Sequence, residues 1–182
     1  MSGAGVEIAL ILGGQRSGKS AHAEARVHAT GLTPVYLGTA DPGGDSELRE
    51  RIRAHRDRRG PAWTTVESPH DLPAALADAA GPGRIVLADG LSVWLSNLLG
   101  AGRAVGPALD ELDAVLAALP GPAVLVSDEV GLGGVSPNAL ARRFADWAGT
   151  MNQRVAARAD HVVLVAAGLP LTLKAPETEM HA

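Results

Sequence analysis

Short apolar runs alternate with longer mixed segments along almost the whole chain. Residues 8–12, 34–37, 85–88, 123–127 and 161–166 are near-continuous runs rich in Val, Ile and Leu, bounded by Gly, Pro or acidic residues. Runs of that length and composition suit strands buried on both faces, as in a parallel sheet covered by helices. A sixth run, 171–173, fits an edge strand antiparallel to the others. Between the runs lie helix-compatible segments at 19–29, 46–59, 69–80, 91–99, 107–119 and 138–159. Ser46 precedes an acidic first turn and reads as a helix cap. The alternation predicts a doubly wound α/β fold, a three-layer sandwich with a mainly parallel sheet. No linker, repeat or low-complexity tract interrupts it, so residues 1–182 read as a single domain.

Composition narrows the possibilities. Aromatic residues make up only 3% of the chain, so the core must be built from Ala, Val and Leu. A formal net charge of −4 argues against general electrostatic binding to nucleic acid or an anionic membrane. With no cysteine, disulfides, thiolate metal sites and cysteine nucleophiles are excluded. No stretch has the length and apolarity of a membrane span or a signal core, which makes the cytoplasm the expected location.

The strongest chemical signal follows the first apolar run. Gly13, Gly14, Gln15, Arg16, Ser17, Gly18, Lys19 and Ser20 fit G-x-x-x-x-G-K-[ST] at every fixed position. A strand leads in and a helix leads out, as a phosphate cradle requires. Successive backbone N–H groups can face inward onto phosphate oxygens, and the helix adds its positive end. Lys19 is expected at the β- and γ-phosphates and the Ser20 hydroxyl in the Mg²⁺ shell. Of the 16 Lys and Arg residues only Lys19 and Lys174 are lysine. A composition so biased to Arg still places Lys where a compact charge is needed. These features predict a P-loop NTPase-type domain that takes nucleoside triphosphate as substrate.

Such a site also needs an acid at the end of a neighbouring strand. Asp89 follows one apolar run, and Asp128-Glu129 follow another. Residues 49–59, RERIRAHRDRR, surround His55 with arginines. On a helix, Arg51, Arg58 and Arg59 share a face with His55. The segment is either a solvated basic face or a second anion site, in which like charge keeps the imidazole neutral and nucleophilic. His22, His28, His70, His161 and His181 show no metal-ligand spacing and read as incidental.

Several separated blocks carry a family resemblance. In order they are GGQRSGKS (13–20), YLGTA (36–40), HRDRRGPAWTTVE (55–67), ADGLSVWLSNLL (88–99), VSDEVGLGGVSP (126–137) and MNQRVAARAD (151–160). Together they span roughly residues 8–174 and resemble the bifunctional adenosylcobinamide kinase/adenosylcobinamide-phosphate guanylyltransferases of cobalamin biosynthesis. Many families share the P-loop; the H-R-x-x-R…W-x-T-x-E and D-x-L-x-x-W-x-x-N-L-L blocks are far more specific. The resemblance implies phosphorylation of adenosylcobinamide with ATP or GTP. Transfer of GMP from GTP to the phosphate follows, through a guanylyl-histidine at the position of His55.

By the same match, Gly38, Thr39, Ala40, Arg56, Asp57, Arg58, Arg59, Glu67 and Asp89 join the cradle in binding nucleotide. Ser20 and Glu129 are the expected metal residues. The resemblance further implies small-molecule substrates and a homo-oligomer, the family commonly forming trimers. Two positions depart from the family pattern. Gly90 stands where many relatives carry Cys, a change expected to affect packing, and Asp128 stands where relatives often carry Asn. A kinase limited to phosphoryl transfer would explain the P-loop but leave the 55–67 block without a role. A GTP-controlled switch would need an N-K-x-D motif, and none occurs.

Overall fold

The computed structural model of the chain describes residues 7–43 and 45–176; within 46–59 it describes the backbone but not the side chains of Leu48, Arg51, His55 and Arg58. Its strands are β1 (Ile8–Gly13), β2 (Thr33–Gly38), β3 (Thr64–Glu67), β4 (Arg84–Asp89), β5 (Ala123–Asp128), β6 (His161–Ala166) and β7 (Leu169–Lys174). Its helices are α1 (Lys19–Ala29), α2 (Ser46–Arg59), α3 (Leu72–Ala79), α4 (Leu91–Gly100), α5 (Val105–Ala117) and α6 (Ala139–Arg158). One seven-stranded sheet has the order β3-β2-β4-β5-β1-β6-β7. Every pairing is parallel except that of β7 with β6.

The buried strands alternate their side chains between two cores. Ile8, Leu10 and Leu12 of β1 face a large core with Trp94, Leu95, Leu109, Leu112 and Met151, so α4, α5 and α6 cover that side. Ala9 and Ile11 face the other way, onto Ala23 and Val27 of α1 and onto Trp63. Small residues in α1 let the helix sit close to the sheet, and the scarcity of aromatics is met by Leu and Val.

The structure corrects the sequence reading at four places. Strand β3 was not expected: T-T-V-E has one aliphatic residue, and its pattern is largely exposed because it lies on the sheet edge. Helix α3 starts at Leu72, not at residue 69. The Pro69 and His70 carbonyls are instead taken by Asn97 Nδ2 (2.9 Å) and Trp94 Nε1 (2.9 Å). Ser46 is the first helical residue of α2; the cap position falls to Asp45, whose carbonyl accepts from the Arg49 N–H (3.2 Å). Strand β7 is the expected antiparallel edge but runs longer, and Leu169, Leu171 and Leu173 stand exposed along it. Asn138 caps α6, its side chain accepting from the N–H groups of Leu140 and Ala141.

Candidate active site

Strand β1 ends at Gly13, where the chain passes so close to its surroundings that a Cβ would lie 2.4 Å from Ser17 Oγ and 2.6 Å from the Val165 carbonyl. The loop then curls back, with the Ser17 N–H donating to the Gly14 carbonyl (3.2 Å) and Arg16 at a φ of 57°. A positive φ at a non-glycine residue is strained backbone of the kind that clusters at functional loops. Helix α1 starts at Lys19, so its unpaired N–H groups and positive end point into the curl. The β6–β7 turn supports the loop: Ala167 and Gly168 both have positive φ (52° and 81°), and the Gly168 N–H donates to the Ser17 carbonyl at 2.8 Å. Two positive φ values in a two-residue turn match the twist of a hairpin.

Parallel register brings the strand ends to the same edge of the sheet. Gly13 lies opposite Asp128, while Gly38 lies opposite both Asp89 and Glu67. Beyond these carboxyl ends, where ligands bind in open α/β sheets, opens a cleft of about 870 Å³. Gln15, Arg16, Ser17, Gly18, Lys19 and Ser20 line it, as do Gly38, Thr39, Ala40, Glu67, Asp89 and Glu129. Helix α2 contributes Arg56 and Arg59, together with Ile52. Gly13, Gly14 and Asp57 are not among the lining residues; Gly13 and Gly14 shape the curl through backbone contacts. The side chains of His55 and Arg58 lie outside the described residues. His55 stands three residues after Ile52 and four before Arg59, which is one helix face by spacing.

Lys19 Nζ pairs with Asp128 Oδ1 at 2.6 Å and donates to the Gly14 carbonyl at 3.2 Å. The other Asp128 oxygen accepts from the Ser92 hydroxyl, and the Asp128 carbonyl accepts from Asn152 Nδ2 (3.1 Å), so α4 and α6 both hold this residue. Ser20 Oγ donates to Asp89 Oδ1 at 3.4 Å. Glu129 lines the same cleft with its Oε1 accepting from the Gly131 N–H at 2.8 Å. Of the acids, Asp89 thus faces the P-loop hydroxyl, whereas Glu129 folds back onto its own turn.

Arg59 differs from the exposed Arg53 and Arg56 of the same helix. It is 8% exposed, its guanidinium sits 3.4 Å from the centroid of the Tyr36 ring, and Nη1 is 4.0 Å from Glu24 Oε1. Its Nε and Nη1 have no hydrogen-bond acceptor among the described residues. Burial, reinforced by the Asp89 carboxylate, pushes the Tyr36 hydroxyl well above its ordinary pKa, with Arg59 opposing the shift.

The tryptophan–asparagine block of α4 positions the cleft from behind. Trp94 is fully buried, and Asn97 Nδ2 donates to the Thr39 carbonyl (2.8 Å) as well as to that of Pro69, tying the segment after β2 to the one after β3. The Thr39 hydroxyl in turn donates to the Gly90 carbonyl at 2.8 Å. Gly90 sits in this tight packing with a φ of 107°, and a Cβ there would lie 2.7 Å from Thr39 Oγ1. Tyr36, Ile52, Thr65 and Val93 line the cleft without having been expected there. For Tyr36 a signal existed: it is the sole tyrosine of the chain and opens the Y-L-G-T-A block.

Comparison with known proteins bears on the fold and the family. The RadB recombinase crystal structure superposes with a TM-score of 0.51 at 15% identity, covering 87% of this chain and 73% of that one, a likeness of fold alone. The chain is 44% identical over 167 residues to the bifunctional adenosylcobalamin biosynthesis protein CobP of Pseudomonas aeruginosa, covering 91% of this chain and 96% of that protein. It is 36% identical over 182 residues to the bifunctional adenosylcobalamin biosynthesis protein CobU of Salmonella typhimurium, covering 91% and 98% respectively. The family model described as cobinamide kinase / cobinamide phosphate guanyltransferase matches residues 9–173, and the chain belongs to that family.

Proposed function

We propose that this chain, acting as a single nucleotide-binding domain over 1–182, carries out both reactions of its family on adenosylcobinamide. In the first, the substrate hydroxyl oxygen attacks the γ-phosphorus of ATP or GTP; the bond to the β-phosphate oxygen breaks, the nucleoside diphosphate leaves and the hydroxyl proton is released. In the second, a ring nitrogen of His55 attacks the α-phosphorus of GTP and pyrophosphate leaves. The phosphate of adenosylcobinamide phosphate then displaces the histidine, giving adenosylcobinamide-GDP and restoring the imidazole.

One observation carries this reading: the P-loop and helix α2 line a single cleft, to which Lys19, Arg56 and Arg59 all contribute. Lys19 and the N–H groups of the curl would bind the β- and γ-phosphates and later the departing pyrophosphate. Arg56 would neutralise the phosphate under attack. Arg58, Asp57 and Glu67 complete the nucleotide contacts taken over from the family match.

The oxygen donors of the site fit Mg²⁺, a hard cation usually held by one or two protein oxygens plus phosphates. Among the described residues no cluster of three His, Asp or Glu could hold a metal by itself. Ser20 and Asp89 are the residues that would hold it, with Glu129 a further acid within the cleft. When bound, the ion would screen the phosphate charge. No helix among the described residues is long and apolar enough to cross a membrane; the cytoplasmic location and the homo-oligomer expected from the sequence are part of the proposal. Turnover of adenosylcobinamide with GTP, each product followed by mass, tests the reading: both adenosylcobinamide phosphate and adenosylcobinamide-GDP are expected. The phosphate alone would leave a simple kinase.

A further inference from the structure

Strand β2 places Tyr36 and Gly38 on one face of the sheet, two residues apart. A Cβ on Gly38 would lie 3.3 Å from Tyr36 Cε1, so the bare backbone leaves the ring room to lie toward the carboxyl end of the strand. There the hydroxyl comes within 3.5 Å of Asp89 Oδ2, while the other Asp89 oxygen receives Ser20 Oγ. The ring face carries the Arg59 guanidinium, and Trp63 meets the ring edge-on with centroids 6.4 Å apart. Arg59 closes helix α2, the helix that bears His55. A ring face under a guanidinium is a strong seat when desolvated, and Arg59 is almost wholly buried.

We propose that Tyr36 is a positioning residue joining the two halves of the cleft: its ring seats Arg59 at the end of the His55 helix, and its hydroxyl orients the Asp89 carboxylate that faces Ser20. The inference rests on the bifunctional reading above. It explains why the block 36–40 pairs its tyrosine with a glycine two residues on. Each chemistry thus has one of its groups fixed by the same residue.

The test uses the full chain with Tyr36→Phe and Tyr36→Leu. Binding of a fluorescent GTP analogue is titrated with Mg²⁺ and with EDTA, and phosphorylation and protein guanylylation are timed separately. Tyr36→Phe keeps the ring, so guanylylation at saturating GTP loses no more than phosphorylation does, whereas binding weakens about threefold only where Mg²⁺ is present, the order expected for one lost hydrogen bond. Tyr36→Leu removes the seat, and guanylylation falls about tenfold further than phosphorylation, the order of one desolvated cation–π contact. Equal loss of both reactions in Tyr36→Leu, or unchanged Mg²⁺-dependent binding in Tyr36→Phe, would overturn the proposal. If Tyr36→Leu folds poorly, the binding arm with Tyr36→Phe decides alone. A wild-type protein that binds GTP but shows neither reaction would sink the bifunctional reading, with the binding comparison still judging Tyr36.

Discussion

Lys19 Nζ and Asp128 Oδ1 are 2.6 Å apart, so the P-loop lysine has an anionic partner at the end of β5. Asp128 is held in place by Ser92 and Asn152, and its negative charge lies where the phosphates of a bound nucleotide would meet Lys19. Replacing Asp128 by Asn keeps the shape and removes the competing charge. GTP binding to Asp128→Asn should tighten about threefold to tenfold, within the range of a partly exposed ion pair. A fluorescence titration reads the change; weaker binding would mean that Asp128 assists the nucleotide instead.

Lys19→Ala removes the one compact cation in the curl. Phosphorylation and guanylylation should both fall by at least about a hundredfold, as for loss of a major charge-stabilising group. Rate measurements with ATP and GTP check this, and full retention of phosphorylation would contradict the P-loop assignment.

Asn97 joins the Thr39 and Pro69 carbonyls through one amide. Asn97→Ala should lower stability by about 1–3 kcal/mol, because two part-buried carbonyls lose their donor. Urea unfolding gives the value. Nucleotide affinity should fall as well, since the segment carrying Gly38, Thr39 and Ala40 loses its tether.

The Arg158 guanidinium donates to both oxygens of Asp113, linking α6 to α5, and this hydrogen bonding holds the Asp113 carboxyl below its usual range. A carboxyl whose folded pKa is depressed stabilises the fold above its unfolded pKa and loses that contribution as pH falls through the folded value. The guanidinium lies at the surface, so solvent screening keeps the effect small. Denaturation midpoints of wild type and Asp113→Asn should therefore differ slightly at neutral pH and converge well below about pH 4.

Much of this arrangement is legible in the sequence because local chemistry dictates it. Strand β1, the curl and α1 follow from an apolar run, a glycine-rich turn and a lysine at a fixed spacing, and helices α1 and α2 span the expected residues. Strand β3 is not legible, since an edge strand needs no apolar run and T-T-V-E offers no periodicity. Glu67, Asp89 and the Asp128-Glu129 pair are expected at the site from the family match and the strand-end pattern, but the register that sets Glu67, Asp89 and Asp128 along one sheet edge is not legible. It depends on the strand order β3-β2-β4-β5-β1, which places residues far apart in the chain side by side. The burial of Arg59 is hidden for the same reason: on its own helix it looks like one more solvated arginine, and the ring of Tyr36 on β2 and the Glu24 carboxylate on α1 make it different.

The most direct measurement is to expose the purified protein to GTP labelled at the α-phosphate and follow the label on the chain. Acid-labile, base-stable label on the wild type, lost in His55→Ala while phosphorylation of adenosylcobinamide persists, is the predicted result. Label that survives in His55→Ala, or none on a wild type that phosphorylates normally, would contradict the account.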